Sequence, residues 1–156
     1  MPWPFPHHYD VTLKAGTDAS GALTSTGRPP IVGGAPPEFD GRAEWWSPEH
    51  LLLSSVGLCL MTTLQALAAR ARVPITGHDS RVSGTLDKTA AGLAFTGIEV
   101  SACVAVPEEH RSRLETLIES AKKHCIISNA LKVPVIVKPE VTGVSGPVLA
   151  SSARQA

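Results

Sequence analysis

The feature that most limits the possible folds is a long, nearly all-apolar segment at residues 51–69. Just before it, Ser47 is a good helix N-cap, Pro48 suits the first helical position, and Glu49 complements the positive end of the helix dipole. We therefore predict a helix that starts at Ser47 and reaches Arg72, where the sequence VPITG stops it. Because this helix is apolar on nearly every face, a sheet on one side and a partner subunit on the other would have to cover it.

The same segment is long enough to raise the question of a membrane span. Hydroxyl and amide side chains interrupt it, and no second apolar span follows; these side chains are Ser54, Ser55, Thr62, Thr63 and Gln65. We therefore expect a buried helix of a soluble, cytoplasmic protein rather than a membrane anchor. The opening residues MPWPFPHHYD lack a basic stretch followed by an apolar one, so we expect no signal peptide.

Composition excludes several classes of function. Lys and Arg together number 14, as do Asp and Glu, so the charge balance does not favour binding to nucleic acid or to an anionic membrane surface. Three cysteines are too few, and an odd number, for a secreted disulfide framework. The six histidines show no ligand spacing and there is no C-x-x-C motif, so we expect no metal and no cofactor.

The order of the remaining elements indicates an α+β fold. Residues 9–15 alternate as a half-buried strand does, and residues 22–26 can return as its partner. The Pro- and Gly-rich stretch 27–46 can hold little regular structure, and a loop of that length is more often functional than idle. We interpret residues 1–156 as a single domain, with a loose tail at about 143–156.

Two strands and a second helix follow the long helix. The strands cover residues 78–88 and 93–106, and the apolar pattern changes register at Gly97, which predicts a β-bulge. This register puts Cys103 on the face opposite the aliphatic row, and we interpret it as structural. The second helix opens at Pro107, and a last strand is predicted at residues 132–141. The apolar stripe of that helix consists of Leu114, Leu117, Ile118, Ala121 and Cys125.

Two of the cysteines could be either core residues or the reactive groups. Cys59 lies too far inside its helix for the dipole to lower its pKa by much, and burial alone would raise that pKa. A reactive Cys59 therefore needs a cation from another segment. Its helical neighbours Ser55, Thr62 and Thr63 could hydrogen-bond a thiolate or their own backbone. Taken alone, a buried Cys59 or Cys125 is more often a small hydrophobe.

The segments WSPEHLLLSSVGLCLMTTLQAL and KKHCIISNAL resemble the OsmC/Ohr superfamily of thiol peroxidases. That pattern has S-P-E at the start of a long buried helix, a cysteine ten positions after the Glu, and a later C-x-x-S-N segment. The resemblance covers residues 8–142. It implies an α+β OsmC-like fold with antiparallel sheets and a long central buried helix. It also implies an intertwined homodimer with active sites at the interface.

The resemblance also implies a mechanism. Cys59 resembles the peroxidatic cysteine, which attacks an organic hydroperoxide, and Cys125 resembles the resolving cysteine, which closes a disulfide. A dithiol reductant, of the lipoyl type or a small thiol, would then open that disulfide. Glu49 resembles the carboxylate that holds an activating arginine against the reactive sulfur.

The position of that arginine departs from the family pattern. The family has it in the turn after the first strand or in the loop just before Phe-x-Gly, but GTDASG contains no arginine and Glu38 precedes Phe39. Of the two arginines in the loop, Arg28 and Arg42, we choose Arg42 because it is nearer to the helix start. A solvated surface arginine is an equally good interpretation of either. The alternative function is an OsmC-fold protein with little peroxidase activity that binds a small apolar ligand or senses redox state.

Overall fold

The computed structural model describes residues 4–144. By internal contacts the chain divides into two compact units, Met1–Leu52 and Leu53–Ala156. The interpretation as a single domain stays a prediction. Most of the predicted tail, residues 145–156, lies outside the described residues, whereas Gly143 and Val144 belong to the last strand.

The first unit contains a three-stranded antiparallel sheet in the order β1-β2-β3. Its strands are β1 at Thr12–Ala15, β2 at Gly21–Thr24 and β3 at Ile31–Gly33. The first two strands were predicted, but β1 is shorter than predicted and exposed along its whole length instead of half-buried. The third strand was missed, because nothing in a Pro- and Gly-rich segment signals that it will pair with a strand ten residues earlier along the chain. A short 3-10 turn follows at Pro37–Phe39.

The predicted long helix is α1, Pro48–Ala71. Its start is capped as expected, since the N–H of His50 donates to the buried Ser47 Oγ at 3.2 Å. Its end is a Schellman motif in which the N–H of Val73 donates to the carbonyl of Ala68 at 2.9 Å. The left-handed position of this motif, with φ 57°, is occupied by Arg72 rather than by glycine.

The second unit is built on a three-stranded sheet in the order β4-β5-β6. Strand β4 is Gly77–Thr89, β5 is Gly92–Pro107 and β6 is Val135–Val144. The predicted bulge is confirmed, because Thr85 pairs with Gly97 while Leu86 pairs with Phe95, which leaves the residue between them unpaired.

Strand β6 runs parallel to β5, so the prediction of antiparallel sheets is wrong for this pair of strands. The physical reason is the connection between them: helix α2, Arg111–His124, and the short helix α3, Ile126–Ala130, carry the chain back before β6 begins. A parallel pair needs a helical crossover of this kind. Pro139 is tolerated inside β6 because that strand lies at the edge of the sheet.

Cys125 does not lie on the second helix, as we had predicted, but in the break between α2 and α3. Its backbone is extended, with φ −66° and ψ 108°. The three-and-four spacing correctly placed it on the buried side, but such spacing cannot show where a helix ends. Four residues of the predicted stripe are fully or almost fully buried, namely Leu114, Ile118, Ala121 and Cys125.

The core of the second unit lies between α1, α2 and the inner face of the sheet. From α1 it takes one stripe, consisting of Val56, Leu60, Leu64 and Ala68. The helix is therefore not buried all round within this chain, and Leu58 on another face is 59% exposed. By length and composition α1 is also apolar enough to cross a membrane, a test that the core helix of a soluble protein passes as well.

The helix approaches the sheet closely at Gly57. A Cβ atom added there would lie 2.8 Å from Cγ2 of Val82 on β4. Since atoms at that separation overlap, the absence of a side chain at this position fixes how near α1 packs to the strand.

Candidate active site

The break at Cys125 is held in place by hydrogen bonds. The N–H of Asn129 donates to the carbonyl of Cys125 at 3.0 Å, and the Asn129 side chain donates to the carbonyl of Lys123 at 3.0 Å. The hydroxyl of Ser128 donates to the Cys125 sulfur at 3.1 Å. The C-x-x-S-N segment is therefore a compact turn in which Ser128 bonds to the Cys125 sulfur and Asn129 ties the turn to the end of α2.

Cys59 on α1 faces this turn and is half-buried. Its sulfur accepts hydrogen bonds from the backbone N–H groups of Ile127 and Ile126, from the Cys125 thiol and from the Thr63 hydroxyl. Burial by itself would raise the pKa of the Cys59 thiol, but these donors outweigh burial and hold the pKa below its ordinary value. The structure thus brings the two sequence-predicted cysteines into direct contact, and both are free thiols.

The two threonines that follow Cys59 behave differently. The hydroxyl of Thr62 donates to the carbonyl oxygens of Leu58 at 3.0 Å and of Cys59 at 3.1 Å. The hydroxyl of Thr63 bonds the sulfur instead. Both alternatives that the sequence left open therefore occur, one at each threonine.

The sulfur of Cys59 has hydrogen-bond donors that we did not predict from the sequence. We expected another segment to bring a cation, whereas the donors within the second unit are neutral N–H, S–H and O–H groups. The backbone N–H groups of Ile126 and Ile127 were missed because side-chain patterns carry no information about backbone donors. The signal that could have found them is the C-x-x-S-N segment, because Ser and Asn often stabilise a turn with free N–H groups.

The remaining predicted site residues lie in the first unit. Glu49 has one carboxylate oxygen, Oε2, that is buried and has no hydrogen-bond partner within residues 4–144. The guanidinium of Arg42 lies 5.1 Å from the ring centre of Trp45, and its Nη1 lies 3.8 Å from Glu44. Arg28 donates to the carbonyl of Thr26 at 3.0 Å. The roles of Glu49, Arg42 and Arg28 stay predictions.

The third cysteine is on the outer face of the second sheet, where the alternation had placed it. Cys103 is exposed, and its thiol donates to Glu140 at 3.3 Å. This hydrogen bond to the carboxylate raises the pKa of Cys103 above its ordinary value. Cys103 is therefore less reactive than its exposure alone suggests. In the described part of the chain, no three or more His, Cys, Asp or Glu side chains are grouped as a metal site would need.

A family model described as OsmC-like protein matches residues 41–140. The chain belongs to the OsmC-like family. This match includes Glu49, both cysteines of the candidate site and Arg42, and it confirms the resemblance to the OsmC/Ohr superfamily.

Curated and solved relatives of this OsmC-like chain agree with the assignment. It is 32% identical over 89 residues to peroxiredoxin OsmC of Escherichia coli K12, a segment that covers 57% of this chain and 62% of that relative. The match thus spans less than two thirds of the relative. An OsmC-like protein from Mycoplasma pneumoniae superposes with TM-score 0.76 at 20% identity, covering 88% of this chain and 99% of that chain.

A second solved structure carries a more specific description. An organic hydroperoxide resistance protein from Elizabethkingia anophelis superposes with TM-score 0.68 at 19% identity, covering 90% of this chain and 100% of that chain. At such identities the two superpositions show the fold, and they confirm the predicted α+β OsmC-like class.

Proposed function

We propose that this protein is a thiol peroxidase that reduces organic hydroperoxides to alcohols through a two-cysteine disulfide cycle. The observation that carries the proposal is the Cys59 thiol, which is half-exposed, has a lowered pKa and contacts the thiol of Cys125. A thiolate with a second thiol in contact is what a peroxide-reducing cysteine requires. Membership of a family that includes proteins named peroxiredoxin OsmC supports the same chemistry.

The first step is attack of the Cys59 thiolate on the hydroperoxide. The sulfur forms a bond to the terminal oxygen, the O–O bond breaks, and the alkoxide leaves with the electron pair of that bond. Taking up a proton, the alkoxide becomes the alcohol, and Cys59 becomes a sulfenic acid. The donors from Ile126, Ile127 and Thr63 favour this step because they lower the pKa of the attacking sulfur.

The second step is closure of the disulfide. Cys125, deprotonated, attacks the Cys59 sulfur, the S–O bond breaks, and hydroxide leaves and combines with the proton lost by Cys125 to give water. Since the Cys125 thiol already contacts the Cys59 sulfur, no large displacement is needed to form the bond. A reductant, either a dithiol of the lipoyl type or a small thiol, returns both cysteines to the reduced state and is itself oxidised to a disulfide.

An arginine completes the proposed site. Within residues 4–144, the buried Oε2 of Glu49 has no hydrogen-bond partner, and this supports a cationic partner for that carboxylate, because a buried carboxylate oxygen without a donor is costly. Our candidate is Arg42, with Arg28 as the second choice. We further propose a cytoplasmic homodimer that acts as an antioxidant in the stress response, without cofactor, nucleic acid or membrane.

A steady-state assay with cumene hydroperoxide and a dithiol tests the proposal. We expect turnover by the wild type, none by Cys59→Ser, and a loss of dithiol-supported turnover in Cys125→Ser. Cys103→Ser is the matched control and should keep wild-type activity, because its thiol lies on the outer face of the sheet. Absence of turnover in the wild type, or full activity in Cys59→Ser, would contradict the proposal.

A second candidate function is a ligand binder or redox sensor with little peroxidase activity. It is favoured by the contacts of Arg42, whose guanidinium is engaged by Glu44 and Trp45. The two functions differ in turnover. A sensor would form the Cys59–Cys125 disulfide once with peroxide, whereas a peroxidase would consume many equivalents of peroxide for each protein chain.

A further inference from the structure

We propose that the reductant attacks the Cys59 sulfur of the Cys59–Cys125 disulfide, and that Cys125 leaves as a thiolate stabilised by the Ser128 hydroxyl. This inference rests on the proposed disulfide cycle and deepens it. It assigns the site at which the reductant binds covalently, and it assigns a role to Ser128.

The two sulfurs differ in accessibility. Cys125 is 0% exposed and belongs to the hydrophobic core of its unit, whereas Cys59 is half-buried. Thiol–disulfide exchange requires the attacking sulfur to reach the sulfur it attacks. Leu114, Ile118 and Ala121, on the helix that precedes Cys125, are likewise packed in that core, so a reductant could reach Cys125 only by opening the core.

Leaving-group stability alone would favour attack on Cys125, with Cys59 leaving as the thiolate. A thiolate leaves faster when it is better stabilised, and Cys59 accepts more hydrogen bonds than Cys125. Access must therefore decide which sulfur is attacked. Expelling Cys125 creates an anion among apolar side chains, where an unpartnered charge is costly. The Ser128 hydroxyl, 3.1 Å from that sulfur, supplies the donor that this anion needs.

The reaction balances as two exchanges. The first thiolate of the reductant forms a bond to the Cys59 sulfur, the Cys59–Cys125 bond breaks, and its electron pair stays on Cys125. The second thiol of the reductant, losing its proton, attacks the first sulfur of the reductant and expels the Cys59 thiolate. That proton can return to Cys125. The reductant leaves as an intramolecular disulfide, so two electrons pass to the protein.

The hydrogen bond from Ser128 to Cys125 also acts when the disulfide forms during the peroxide cycle. Cys125 must lose its proton before it attacks the sulfenic acid of Cys59. Because the Ser128 hydroxyl donates to the sulfur, it stabilises the anionic form in that step too.

The first test traps the mixed disulfide. The Cys103→Ser protein is oxidised with diamide, so that the disulfide does not depend on peroxidase activity. It is then treated with excess 2-mercaptoethanol, quenched in acid, alkylated under denaturing conditions and mapped by mass spectrometry. We expect the mercaptoethanol adduct on Cys59 and the alkyl group on Cys125.

The outcomes separate the two proposals. An adduct on Cys125 would overturn the choice of sulfur and leave the disulfide cycle standing. Failure of diamide to link Cys59 to Cys125 would overturn the cycle and the inference together.

The second test addresses Ser128. We expect Ser128→Ala to slow reduction of the diamide-formed disulfide by about tenfold to a hundredfold, the effect of losing one hydrogen bond to a buried charged group. The pH profile of Cys59 alkylation in the reduced protein should stay close to wild type, a result that general loss of structure would not give. Ser128→Thr restores a hydroxyl and should recover most of the rate.

Ser120→Ala is the matched control, because Ser120 lies on α2 and its side chain contacts His124 rather than a sulfur. Its reduction rate should equal that of the wild type. Wild-type kinetics in Ser128→Ala, or equal losses in both variants, would overturn the role of Ser128.

Discussion

Replacing Thr63 by valine should raise the pKa of Cys59 while preserving the shape of the helix surface. Valine keeps the branched side chain and removes only the hydroxyl, which donates to the sulfur. A hydrogen bond to a buried charged group contributes about 1.5–3 kcal/mol, but water can partly replace the hydroxyl at a half-exposed sulfur. We therefore take about 1 kcal/mol, which moves the ionisation midpoint upward by about 0.7 of a pH unit.

The assay is the rate of iodoacetamide alkylation of Cys59 as a function of pH, read by mass spectrometry of its peptide. Peptide mapping separates this signal from the exposed Cys103. Below the midpoint, the rate of peroxide reduction should fall by about fivefold in parallel, because 1 kcal/mol is about that factor in the thiolate population.

Thr62→Val is the matched control. It makes the same chemical change one residue away, where the hydroxyl bonds carbonyl oxygens of the helix. Its alkylation profile should match that of the wild type. If Thr63→Val leaves the midpoint in place, or if Thr62→Val moves it equally, the hydroxyl of Thr63 does not set the reactivity of this sulfur.

Three further predictions concern charge, assembly and backbone strain. Arg42→Ala should raise the Cys59 pKa and slow peroxide reduction, and Glu49→Ala should do so more weakly. If Arg42→Ala leaves the pH dependence of Cys59 alkylation unchanged, Arg42 is not the activating residue, and Arg28 should be tested in the same way. Sedimentation should report about twice the chain mass of 16.4 kDa, because α1 leaves apolar faces uncovered within one chain, and a stable monomer would contradict this. Arg72→Gly should raise the free energy of unfolding in urea by about 0.5–1 kcal/mol, because glycine takes the left-handed conformation without a Cβ clash; a decrease would contradict the prediction.

The elements that the sequence predicted correctly are those defined by local chemistry. The cap at Ser47 and the register change at Gly97 each leave a signal in a single short segment of sequence, and both were placed correctly. The alternation along β5 likewise assigned Cys103 to the outer face. Each of these features can be recognised from a local pattern, either a capping residue or an alternation of apolar and polar side chains.

The features that were missed depend on where distant segments meet. Strand β3 forms because it pairs with β2, and β6 runs parallel because α2 and α3 return the chain. At the candidate site, the two cysteines could be identified from the sequence, but the backbone donors of Ile126 and Ile127 could not. Their position depends on the break at Cys125, which spacing cannot reveal.

The close approach of α1 to β4 at Gly57 links the reactivity of a thiol to a residue that carries no side chain. An alanine there would have to turn Val82 aside or lift the helix from the strand. Lifting the helix would change the spacing between Cys59, two residues further on, and the Cys125 turn with its N–H donors. Evolution or an engineer could thus weaken or strengthen the nucleophile by adjusting a spacing, through a position that touches neither sulfur.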